Sequence, residues 1–152
     1  ESEKQLNDLI FQSSLEILGH GDQMSDGLMG YFNTFLNDID DESEHSVKIV
    51  SRVADKGVPA TLFFLSKTGC KCNHIQFYKN TVDLWDGCDI LISANPLAIE
   101  NKPSGCISVK IKTSYNENVK ADYELENLSE LLKNTTLQTQ IFNTKIAEYE
   151  KL

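Results

Sequence analysis

Leu6, Leu9, Ile10, Ile17 and Leu18 recur at helical spacing, so residues 3–18 read as an amphipathic helix that Gly19-His20-Gly21-Asp22 ends. Leu28, Phe32, Phe35, Leu36 and Ile39 repeat the pattern and predict a second helix over 24–38, broken by the acidic run that follows. Val47, Val50, Val53 and Ala54 predict a third over 44–56, stopped at Gly57. The texture then changes. Val58 to Leu65 is an apolar, β-favouring run between Gly57 and Gly69; 89–92 and 106–111 are two more, with a further strand at 75–78. Short strands separated by long segments imply parallel pairing through crossovers. Leu128, Leu131, Leu132, Ile141, Ile146 and Tyr149 make 125–152 helical, with a soft break near Asn134. The expected fold is α/β: a small, mainly parallel sheet in a three-layer arrangement, with an N-terminal helical segment and a C-terminal helix. Residues 1–44, 45–132 and 133–152 are its acidic segment, core and tail, within a single domain. The β-branched runs at 89–92 and 107–111 disfavour the competing four-helix bundle.

Charge sharpens this picture because it is unevenly divided. The chain of 152 residues has a formal charge of −9. Residues 1–44 hold eleven acids against Lys4, a net of −10, while 45–152 hold twelve acids against thirteen bases, a net of +1. Arg52 is the single arginine and no basic stripe exists, which speaks against nucleic-acid binding through direct phosphate contacts. Carboxylates are badly placed at a helix C-terminus, so Asp38, Asp40, Asp41, Glu42 and Glu44 invite a cation or a basic protein partner. Self-association through the tail is a second kind of contact. Apolar runs span only a few residues, against the roughly 20 of a membrane helix, so no membrane is expected. Thirteen Lys, twelve Asn and twelve Ile beside one Arg suggest an AT-rich genome such as a phage's.

Four cysteines, Cys70, Cys72, Cys88 and Cys106, are too sparse for a disulfide scaffold and read as reduced thiols. With no secretion leader visible in the opening residues, a cytoplasmic setting is expected. Cys70, Cys72 and His74 are zinc-compatible ligands within five residues, outside the usual finger spacings, and leave a zinc-stabilised binding module as one reading. Ser66-Lys67-Thr68-Gly69 reads as a polar loop at a sheet's C-terminal edge, where α/β proteins place ligands, though it lacks P-loop spacing. His20 and His45 are lone imidazoles, and Trp85 reads as a packing residue.

Cys88-Asp-Ile-Leu-Ile-Ser-Ala-Asn-Pro96 is the most distinctive stretch. It resembles the fourth motif of the haloacid-dehalogenase superfamily, particularly 5'-nucleotidase-like members, where a buried strand ends in two aspartates before Asn-Pro. The likeness runs over about 45–132: Leu97–Asn101 resembles the following short helix, Gly105 to Lys112 the next strand, Thr113–Asn116 a loop and Leu125–Leu131 the closing helix. It implies a Rossmann-like core and Mg²⁺-dependent phosphate-ester hydrolysis. Asp38 and Asp40 would be its nucleophile and proton-exchanging acid, Ser66 its phosphate-contacting hydroxyl and Lys79 its charge-neutralising base. Ser93 and Ala94 stand where the metal-holding aspartates would be. The expected function is therefore a catalytically impaired domain serving as an interaction or regulatory module, with a divergent Mg²⁺-dependent phosphatase as the alternative.

Overall fold

Helices and short parallel strands together make up the described chain, giving the expected α/β class. The computed structural model describes residues 27–42, 46–51 and 57–150, without the side chains of 40–42 and 144–150. The helix expected over 3–18, His20, Glu44, His45 and Arg52 lie outside the described residues. Two compact units divide the chain, residues 1–79 and 80–152, a boundary inside the stretch expected to form one core.

In the first unit, helix α1 (Leu28–Glu42) is followed by strand β1 (Ile49–Ser51), helix α2 (Val58–Lys67) and strand β2 (Ile75–Phe77). Strands β1 and β2 pair in parallel, Ile49 opposite Ile75, so α2 lies within a βαβ connection. Two elements differ in type from the sequence pattern. The helix expected over 44–56 contains β1, because Val47, Ile49 and Val50 are β-branched and crowd a helical turn. The strand expected over 58–65 is α2. Pro59 sits in its first turn, where a missing N–H costs nothing. At its other end Gly69, at φ +77°, receives the chain into a turn in which Cys70 N donates to Leu65 O at 2.9 Å and Gly69 N to Ser66 O at 3.1 Å. Asn33 of α1 braces that turn, donating to Gly69 O and accepting from Lys71 N, both at 3.0 Å.

The second unit opens with a 3-10 helix (Thr81–Trp85) and continues through β3 (Ile90–Ser93), α3 (Pro96–Glu100), β4 (Ile107–Ile111), β5 (Tyr123–Leu125), α4 (Leu128–Leu132) and α5 (Thr135–Glu150). Its sheet has the order β3-β4-β5, all parallel, with Ile90 opposite Ile107 and Val109 opposite Tyr123. Ile107, Val109, Leu125, Leu131 and Ile141 form its core, with Ile90, Ile92 and Leu137 against them. The other face of β4 is polar: Ser108 and Lys110 are buried there. Leu125 closes β5 rather than starting a helix; Asn127 Oδ1 caps α4 by accepting from Glu130 N. Trp85 is buried and donates its indole N–H to Ala98 O at 2.6 Å, the packing role expected of it.

Asp122 ties the start of β5 to β4, accepting from Ser108 N at 2.8 Å and pairing with Lys102 at 3.0 Å. Burial pushes its carboxyl pKa up, but the Ser108 amide and the Lys102 ammonium outweigh that and hold it below the usual value. Lys110 likewise holds Glu124 low through their hydrogen bond.

Two outcomes follow from this packing. Ile107→Ala empties the centre of the core and should lower unfolding stability by about 2–5 kcal/mol in urea titrations followed by circular dichroism. Carboxyls held low in the folded state stabilise it above their unfolded pKa, about 4, and that contribution is lost as pH falls through the folded values. Stability should therefore drop on the acid side below about pH 4, less steeply in Asp122→Asn; an unchanged acid limb in that variant contradicts the linkage.

Candidate functional site

Two places gather the chemistry, one in each unit. In the first, α1 runs on through Asp38, Asp40, Asp41 and Glu42 instead of ending at Asp38, and no basic residue lies in its last turn. Asp38 is exposed. Helical positions two apart do not share a face, so this backbone does not present Asp38 and Asp40 together as a strand-ending Asp-x-Asp turn would. Four acidic positions instead sit at the end where the aligned peptide dipoles are already negative.

Ser66 and Lys67 occupy the last turn of α2, exposed, and Thr68-Gly69 form the turn after it. The expected loop at a strand's end is thus a helix C-terminus, the negative end of the aligned peptide dipoles, which disfavours phosphate. Lys79 is exposed two residues beyond β2. Cys72 is buried with its thiol 3.5 Å from His74 O and 3.8 Å from Val47 O, Cys70 is half-buried, and His74 is exposed. Desolvation raises the Cys70 pKa, partly offset by a hydrogen bond from the Cys72 backbone, which favours thiol over the thiolate that zinc takes. All four cysteines are free. Among the described residues no three His, Cys, Asp or Glu side chains group as metal ligands.

In the second unit, the turn after β3 and the loop after β4 meet. Ser93 Oγ accepts from Asn95 N at 3.0 Å, and Asn95 Oδ1 accepts from Leu97 N and Ala98 N, capping α3. Ala94 O accepts from Asn116 Nδ2 at 2.9 Å; the same amide nitrogen donates to Ile111 O at 2.8 Å, and Asn116 Oδ1 accepts from Thr113 N at 2.9 Å. Beneath this loop, the Lys110 ammonium donates to Val119 O at 2.6 Å and Asn116 O at 3.2 Å and pairs with Glu124 at 2.9 Å. Its side chain is 3 % exposed. Magnesium takes oxygen ligands, typically carboxylates. The Ser93-Ala94-Asn95 turn supplies no carboxylate, its hydroxyl and amide oxygens hold its own backbone, and this donor set does not fit the ion.

The pattern reading passed over Lys110 and Asn116. A lysine inside the β-branched run from Ile107 to Ile111 was the available signal, since such a position needs a buried partner. No protein-family model matches the chain, and no curated protein or solved structure matches it.

Opposite effects are expected from two neighbouring substitutions in the β4–β5 loop. Asn116→Ala leaves two carbonyls and an amide without their partner and should cost about 3 kcal/mol. Thr113 Oγ1 is the one buried side-chain nitrogen or oxygen without a hydrogen bond among the described residues, so Thr113→Val should stabilise by about 1 kcal/mol. Urea midpoints of the two variants decide both signs.

Proposed function

We propose that this chain is a catalytically impaired, haloacid-dehalogenase-like domain that acts as an interaction or regulatory module, engaging a basic protein through its acidic N-terminal third. The observation that carries this reading is the segregation of charge: −10 over residues 1–44 against +1 over the rest. Helix α1 supports it by continuing through four acidic positions with no base in its last turn. Such a helix end is electrostatically costly in isolation and is relieved by a cation-rich partner. The turn after β3 supports the loss of catalysis, since Ser93 and Ala94 replace carboxylates and the turn's polar groups are spent on its own backbone.

No helix among the described residues is long and apolar enough to cross a membrane. Four free thiols suit a reducing, cytoplasmic compartment. Charge of this kind steers encounter and selects partners more than it tightens them.

The test is capture of partners from host lysate by the intact chain and by a variant with Asp38, Asp40 and Asp41 changed to Asn and Glu42 and Glu44 to Gln. Raising salt from about 0.1 to 1 M shortens the screening length from about 10 to 3 Å. Basic partners should be lost in both treatments. Partners that survive both reduce the acidic segment to a solvated surface. Mg²⁺-dependent hydrolysis of a phosphate monoester, abolished by Asp38→Asn or Asp40→Asn, replaces this reading with the phosphatase.

A further inference from the structure

Strands β1 and β2 make a sheet of two, so each is an edge. Every residue of both is only half-buried, whereas β4, with a neighbour on each side, is buried from Ile107 to Lys110. Parallel sheets are ordinarily covered, and two strands alone are marginal. The ladder shows which groups of β2 lack a partner strand. Ile49 N donates to His74 O at 3.0 Å and Tyr78 N to Ser51 O at 2.9 Å, so the backbone of 74, 76 and 78 faces β1. Backbone groups alternate sides along a strand, which turns the N–H and C=O of Ile75 and Phe77 the other way. Among the described residues no strand pairs with that edge.

Open edges are commonly blunted by a proline, a bulge or a charge within the strand. Residues 70–79 contain no proline or glycine, and the residues at the open edge are the β-favouring Ile75 and Phe77. The two faces beside this edge differ. Ile75 and Phe77 share one. Gln76 and Tyr78 share the other, where the Lys48 ammonium donates to Gln76 Oε1 at 2.9 Å and stands 5.9 Å from the centre of the Tyr78 ring. An added strand would place alternate side chains on these faces, so an apolar residue suits the first and an acidic one the second. The surrounding charge has the same sign: residues 45–79 hold six Lys and Arg against Asp55, a net of +5, with Lys71 and Lys79 exposed before and after β2.

We propose that the outer edge of β2 is a docking site for an extended segment of another protein in which acidic and apolar residues alternate, added as a third strand. The site uses none of the acidic residues of α1, so this reading and the basic partner proposed above stand or fall separately.

Hydrogen exchange of the full chain with a synthetic Val–Glu alternating heptapeptide tests it. The Ile75 and Phe77 amides should exchange freely in the chain alone and slow by about tenfold or more at saturating peptide, while Val50, on the far edge of the sheet, does not change. The same peptide with Lys for Glu, or N-methylated at every peptide bond, should not slow them. Lys48→Glu should weaken the Val–Glu peptide several-fold. Lys79→Glu, exposed beyond the strand, should do the same, so the charge test survives if Lys48→Glu fails to fold. Ile75 and Phe77 amides that stay fast at millimolar Val–Glu peptide overturn the proposal. So does equal slowing by the N-methylated peptide, which needs no ladder, or protection of both amides in the chain alone, which means the edge is already covered.

Discussion

Parallel strands cannot be joined by a tight turn, and the second unit's arrangement depends on how the β4–β5 connection meets that constraint. Such crossovers are usually helical, so their backbone groups satisfy one another. Residues 112–122 contain no helix, and the buried Lys110 ammonium and Asn116 amide take over the task. Lys110 gathers two carbonyls of the loop and the Glu124 carboxylate around one charge; Asn116 stitches the loop to the end of its own strand and to the turn after β3. Both are polar side chains buried where an apolar residue would leave loop carbonyls without donors.

The same stitching determines what the strand ends can do. In a parallel sheet the C-terminal edge is the natural ligand position, because loops diverge there and leave a crevice. Here Asn116 spans the loops after β3 and β4, and Asn95 turns its side chain back to cap α3. The edge is used as a fastening. In the other unit, α1 ends on Asp40, Asp41 and Glu42 with no basic residue in its last turn.

The strands at 75–77, 90–93 and 107–111 were legible because β-branched and aromatic residues there are bounded by turns, whereas α3 was expected only through the resemblance of Leu97–Asn101 to a short helix. Helix α2 was not. Its double-sided apolar character erases the periodicity that separates a helix from a buried strand, leaving Pro59 near its start and Gly69 beyond its end as the available cues. Strand β1 was hidden the opposite way, since valines three apart imitate a helical stripe although Val47, Ile49 and Val50 are β-branched and favour extension. The polar network was beyond the pattern altogether: nothing local says that Lys110 meets Glu124, because their pairing is set by strand register.

Trp85 gives the molecule an optical asymmetry. It is the chain's single tryptophan, it is buried, and it belongs to residues 80–152. Intrinsic emission excited at the indole band therefore reports the solvation of that unit, while residues 1–79 contribute only tyrosines such as Tyr31 and Tyr78. A single sigmoidal fluorescence transition would describe the melting of one unit. Agreement with a backbone probe, which weighs both, is what would make it a statement about the whole chain.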